Sequence, residues 1–231
     1  MISAHDWIHN SAVDQTIWDR WPDYRVWLVA TDGVDASRLT ATADDLFHRA
    51  IASATTDDVD GHVLRWQDAY RDFGVKPRGA RSSVGALLRR ASSDNGLPRI
   101  NVLVDLYNAI SILHRVPIGG EDLDRYDGPA RLLLASGTEP FHTTSHGDPV
   151  VEHPELGEPI WVDDAGVTCR RWNWRQTSRT AIDADTRRLG FIVDSLDAPD
   201  HPGARSAANQ LAEVLGDAHV RMIDAAGGGS C

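Results

Sequence analysis

Residues 100 to 114 read INVLVDLYNAISILH, and this stretch limits the possible folds more than any other. Ile100, Leu103, Val104, Tyr107, Ile110 and Leu113 recur at helical spacing and cover nearly the whole circumference. A helix that is apolar almost all round has to be buried, so the rest of the chain must supply its partners. Asn101, Asp105 and Asn108 interrupt the apolar surface at i, i+4 and i+7, which puts a polar stripe along one side. Buried polar groups need hydrogen-bond partners. The stripe therefore faces either a neighbouring backbone or a wet pocket.

The 231 residues are enough for one large domain or two small ones. YRVWLVAT (24–31) is β-branched and aromatic and reads as a buried strand. A helix is expected over 37–54 and another near 62–73, where Val63, Trp66, Tyr70 and Phe73 share a face. Ser82 or Ser83 can cap a short helix with Val84, Leu87, Leu88 and Ala91 on one side. After the long helix, VPIGGEDLDRYDGP turns the chain, and strands are expected at 130–136, 158–162, 166–174 and 190–195. The intervening DDAG makes 158–174 a hairpin. Alternation along its second strand places Trp172 and Trp174 on the core face, with Arg171, Asn173 and Arg175 together on the other. The expected fold class is α+β, mainly antiparallel sheet with packed helices. One domain spans 1–225, with its core at 75–197, an N-terminal strand and helices at 20–74 and a last helix at 203–217. The tail 226–231, ending GGGSC, is expected to be disordered.

Several functional classes are disfavoured. No apolar run approaches the roughly 20 residues that span a bilayer, and the N-terminus lacks the basic start and apolar core of a signal peptide, so a soluble cytoplasmic protein is expected. Cys169 and Cys231 are the only cysteines, too few for a disulfide framework. There is no GxGxxG opening a helix, no Walker loop and no GxSxG elbow. FHTTSHGDPVVEHPELGE holds His142, His146, Asp148, Glu152 and His153. Zinc would suit three such ligands plus water, but the segment is rich in Pro and Gly and no helix fixes the histidines. It is expected to be an exposed loop, with no metal and no cofactor.

The charge is uneven. The chain carries −11 overall, yet 75–93 and 169–182 together hold nine basic residues and no acid, so the remainder sums to −20. The first segment contributes Lys76, Arg78, Arg81, Arg89 and Arg90. An acidic chain can meet a polyanion only through such patches. Otherwise these side chains face solvent or pair with nearby aspartates.

NVLVDLYNAISILHRVPIGGEDLDRYDG, followed by GEPIWVDDAGVTCRRWNWRQTSRTAIDADT, resembles the B3/B4 domain. That domain is the editing module of the bacterial phenylalanyl-tRNA synthetase β subunit, and it also occurs as free-standing proteins. The resemblance covers about residues 75–197. It implies a pocket between the helix at 101–114 and the sheet, with the family's Asn-x-Val-Asp-x-x-Asn run falling on Asn101, Val104, Asp105 and Asn108 once one extra residue is allowed after the first asparagine. The turn proline falls on Pro117 and the Asp-Leu-Asp pair on Asp122 and Asp124. Departures stand at Tyr107, where the synthetases carry threonine, and at Gly119, where they carry histidine. The tyrosine-reading glutamate has no counterpart near Ser178 and Arg179, so tyrosine specificity does not transfer.

What the resemblance implies is a tRNA-binding protein that deacylates mischarged aminoacyl-tRNA with positioned water. Asn101, Asp105 and Asn108 would line the pocket and orient water, while Asn173 and Arg175 would donate to a carbonyl, ribose or phosphate oxygen. Arg171 would join Lys76, Arg78, Arg81, Arg89 and Arg90 on the RNA. The alternatives are a module that binds tRNA or a small ligand without hydrolysis, and a metal-dependent hydrolase built on the histidine segment.

Overall fold

The computed structural model describes residues 2–54, 61–75, 81–145, 147–196 and 202–226. In chain order these form α1 (Ala4–Asn10), β1 (Ala12–Val13), α2 (Gln15–Arg20), β2 (Arg25–Thr31), a 3-10 turn (Ala36–Leu39), α3 (Thr40–Ser53) and α4 (Gly61–Asp72). Next come α5 (Ser83–Ala91), α6 (Val102–His114), β3 (Ile118–Asp122), β4 (Arg131–Leu134), β5 (Phe141–Ser145) and β6 (Asp148–Glu152). The chain closes with β7 (Pro159–Asp163), β8 (Gly166–Arg170), β9 (Arg175–Gln176), β10 (Leu189–Ser195), α7 (Gly203–Leu215) and β11 (His219–Ile223). The fold is α+β, and every strand pair is antiparallel except β1 with β4.

A four-stranded sheet, ordered β11-β2-β10-β3, forms the middle layer. Alternation sorts its side chains between two cores. Trp27, Val29, Phe191 and Val193 pack under α3, α5, α6 and α7. Val26, Leu28, Ala30 and Ile192 face the opposite way, toward α1, α2, α4 and the second sheet. The long apolar α6 is buried as its sequence requires. Asn101 is its N-cap, with its side chain accepting from the Val104 N–H at 2.9 Å.

The second sheet runs β1-β4-β7-β8-β9, and β5 and β6 form a separate hairpin. That hairpin corrects the expected loop at 141–158. Phe141 is fully buried against Ile160, Val162 and Val167, and this contact gives the hairpin its seat. The short elements α1, α2, β3 and β11 also went unread in the sequence; β3 lies in what was expected to be a turn. The last five residues of the tail, 227–231, lie outside the described residues.

The expected strand over 166–174 is corrected more sharply. It ends at Arg170, and Arg171 and Trp172 take left-handed φ values of 47° and 67°. Such residues are uncommon outside turns. Here they turn the chain back, so that β9 pairs with β8 through Arg170 opposite Arg175. Residues 171–174 are therefore a hairpin turn, and the two-residue alternation does not hold through them. Trp172 is fully buried, its ring centroid 4.7 Å from Trp21, 4.9 Å from Tyr24 and 5.2 Å from Trp66. Trp174 is only half-buried. Trp172→Ala is therefore expected to cost about 3–5 kcal/mol of stability, and Trp174→Ala about 1 kcal/mol. Urea unfolding measures both, and equal losses would contradict this division of the two indoles.

Candidate functional site

A cavity of about 810 Å³ opens between α5, α6, the face of β3 and β10 that looks toward the second sheet, and the turn after β8. Its mouth is built by α5. Ser82 caps that helix by accepting from the Gly85 N–H, and Val84, Leu87, Leu88 and Ala91 bury its apolar face. The helix thus leaves Arg81, Arg89 and Arg90 exposed at the cavity mouth. Most other arginines are paired, such as Arg179 with Asp163 and Arg188 with Asp32 and Asp124. The guanidinium groups of Arg81, Arg89 and Arg90 have no ion-pair or hydrogen-bond partner among the described residues.

Two buried acids stand on the cavity wall. Glu121 of β3 is 1% exposed; its Oε2 accepts from Gln176 Nε2 at 2.7 Å and from the Thr180 hydroxyl. Burial raises its carboxyl to about 8 against the pull of those two donors. Its Oε1 has no partner among the described residues. Asp194 of β10 is also 1% exposed and accepts from the Tyr24 hydroxyl at 2.6 Å and from Asn173 Nδ2 at 3.4 Å. Burial raises it to about 7.

Between these acids the β3 backbone is bare. A Cβ at Gly119 would meet nothing within 4 Å, so the cavity extends over this residue. Gly120 faces the other way, where a Cβ would lie 2.7 Å from Ile182 and 2.9 Å from Tyr107. Asn173 ties the wall to the mouth. Its carbonyl accepts from the Ser83 N–H of α5 at 3.0 Å, and its Oδ1 accepts from the Tyr70 hydroxyl at 3.1 Å.

With this geometry in place, a family model for the B3/4 domain matches residues 65–211. The chain belongs to the B3/4 domain family. The match takes in every element that walls the cavity. A solved structure, an N-terminal fragment of the phenylalanyl-tRNA synthetase β-subunit from Pyrococcus horikoshii, is similar at 15% identity with a TM-score of 0.44. The alignment covers 91% of this chain and 50% of that fragment. None of the curated proteins matches.

Within this B3/4 domain, the residues singled out from the sequence divide. Asn108, Asn173, Arg81, Arg89 and Arg90 line one cavity. Asn101 and Asp105 do not line it; they serve the start of α6, where Asp105 accepts from the Ile100 N–H and pairs with Arg99 at 2.8 Å. The polar stripe of α6 is thus split between backbone and pocket. Arg175 also lies off the cavity lining, with Nη2 on Thr143 Oγ1 at 2.7 Å and Nη1 3.4 Å from Glu152. It does not share a face with Asn173, because the hairpin turn comes between them. Arg171 lies over the Trp174 ring at 4.3 Å. Lys76 and Arg78 lie outside the described residues, as does His146. Among the described residues, no group of three His, Cys, Asp or Glu could hold a metal ion.

No motif in the sequence marks Glu121 or Asp194. The available signal was an acid inside a strand-like apolar stretch, as in GFIVDS. The raised Glu121 carboxyl has a consequence for stability. Its folded value of about 8 exceeds the unfolded value near 4.3, so the folded chain holds a proton that the unfolded chain has released. This contribution is complete below about pH 4 and is lost as the pH rises through about 8. Glu121→Gln keeps a carbonyl acceptor and cannot ionise. It should therefore gain on the wild type by up to about 1.4 kcal/mol per pH unit between roughly pH 5 and 8. Urea unfolding at several pH values reads the difference, and a constant gap would show that Glu121 titrates normally.

Proposed function

We propose that this B3/4 chain is a tRNA-binding editing hydrolase that releases the amino acid from mischarged aminoacyl-tRNA. The observation that carries the reading is one cavity with a mouth of three unpaired arginines and two proton-poised carboxyls on its wall. The arginines suit the phosphates of an RNA end, since guanidinium groups bind phosphate oxygens bidentately. The cavity volume lies within the range of ligand sites. Membership of the family that supplies the editing module of the synthetase supports the same reading.

The aminoacyl ester is already activated, so the demand on the protein is to position water and meet the developing oxyanion. Asp194, near 7, takes the proton of the attacking water, and that proton then passes to the ribose oxygen as the ester bond breaks. Asn108 orients the water from α6, and Asn173 holds Asp194 in place. Glu121 keeps its proton at neutral pH and donates from Oε1 to the bound aminoacyl group. Asn101 and Asp105 hold the start of α6, and Arg175 holds the β5–β6 hairpin against the turn.

Incubation with a panel of mischarged tRNAs should release amino acid from at least one. The rate should rise with pH through about 7, as Asp194 ionises, and fall through about 8, as Glu121 does. Asp194→Asn should abolish release while tRNA binding persists. Binding without release by the wild type would leave a non-catalytic module instead. Arg81→Glu and Arg89→Glu should each lower the slope of log K against log salt by at least about 0.7. An unchanged slope would detach the arginine mouth from RNA.

A further inference from the structure

Trp174 lines the cavity yet is only half-buried, whereas its neighbour Trp172 is fully enclosed. The turn that separates them holds two consecutive left-handed residues, Arg171 and Trp172, neither of them glycine. Such backbone is costly and tends to persist where it serves a site. The Arg171 guanidinium lies 4.3 Å over the centre of the Trp174 ring. It is held there by Glu158, which accepts from the Arg171 N–H at 3.0 Å and sits 3.7 Å from Nε. The indole therefore carries a fixed cation, and the Arg175 guanidinium lies farther off the same ring, 6.0 Å from its centre. Ile100, 63% exposed, brings an apolar side chain to the same cavity. Arg81, Arg89 and Arg90 add positive charge without a partner among the described residues.

An aromatic platform beside unpaired arginines is the combination that holds a single-stranded nucleic acid: bases stack and phosphates pair. We infer that Trp174 is a stacking platform for the unpaired 3′-terminal base of an RNA, with the adjoining phosphates on Arg81, Arg89 and Arg90. This rests on the RNA-binding reading above and adds to it the part of the ligand that occupies the mouth. An aromatic amino-acid side chain could stack in the same way, but it would bring no phosphates for the arginines.

Fluorescence anisotropy with two labelled RNA hairpins tests it. One ends in a single-stranded CCA, and the other is identical except that its terminal nucleotide lacks the base. Wild-type protein should bind the intact RNA about tenfold or more tightly than the abasic one, as expected of one stacked base. Trp174→Ala should close that gap while keeping the affinity for abasic RNA, which also shows that the variant is folded. Trp174→Phe should retain most of the gap. If Trp174→Ala keeps the gap, or weakens both RNAs by the same factor, no base stacks on Trp174 and the inference fails. If the wild type binds both RNAs equally well, RNA binding stands and the stacking falls. If it binds neither, the RNA reading falls and this inference falls with it.

Discussion

Glu158 holds the site together. It is 3% exposed, and Arg170, itself 6% exposed, meets it in a bidentate pair with Nε at 3.0 Å and Nη2 at 2.9 Å. The same carboxylate accepts from the next backbone N–H, that of Arg171. With the Glu155 N–H at 3.3 Å as a fourth donor, the buried carboxylate is well compensated, whereas removing its arginine partner would leave an uncompensated buried charge. This arrangement fixes the point where β8 stops and the chain turns. The placements of Trp172 in the core, Asn173 against Asp194 and Trp174 at the cavity mouth follow from that one bend. Arg170 also reaches Glu152 at 3.0 Å, and Arg175 meets the same glutamate, so the β5–β6 hairpin is tied to the turn.

The chemistry of the cavity comes from the middle sheet. Glu121 and Asp194 project from its inner face on neighbouring strands, with Ile192 paired to Gly119 between them. Had Gly119 carried a large side chain, the space over β3 would be filled. Each acid is enclosed by neutral donors, from Gln176 and Thr180 in one case and from Tyr24 and Asn173 in the other. With no cation paired directly to either, desolvation dominates and both keep protons into the neutral range. A third buried acid, Asp163, is instead met by a cation, with Arg179 at 2.7 Å.

Sequence periodicity located the long elements. α3, α4, α5, α6 and α7 lie within a few residues of where helical spacing and capping serines put them, and so do β2, β4, β7 and β10. The B3/4 resemblance, drawn from ordered motifs between 75 and 197, agrees with the family match over 65–211. The errors gathered where local pattern is ambiguous. Six residues of α2 or two of β1 are too short for a period to register. The Pro- and Gly-rich stretch after residue 141 gave no hint that Phe141 would anchor a hairpin.

The amino-acid sequence by itself determined that α6 must be buried, that Ser82 or Ser83 starts a helix and that Arg89 and Arg90 stand on the polar side of that helix, with Arg81 just ahead of it. Apolar periodicity and capping are local properties, set within a turn or two. Only the tertiary structure decided which polar residues share the cavity. Asn101, Asp105 and Asn108 look alike on a helical wheel, yet two serve the helix start and one faces the pocket. Arg171, Asn173 and Arg175 look alike on a strand, yet a turn fixed by Glu158, 13 or more residues away, sends them to different partners. The pairing of a buried charge with a distant residue depends on how the sheets close, and a one-dimensional period carries no record of that.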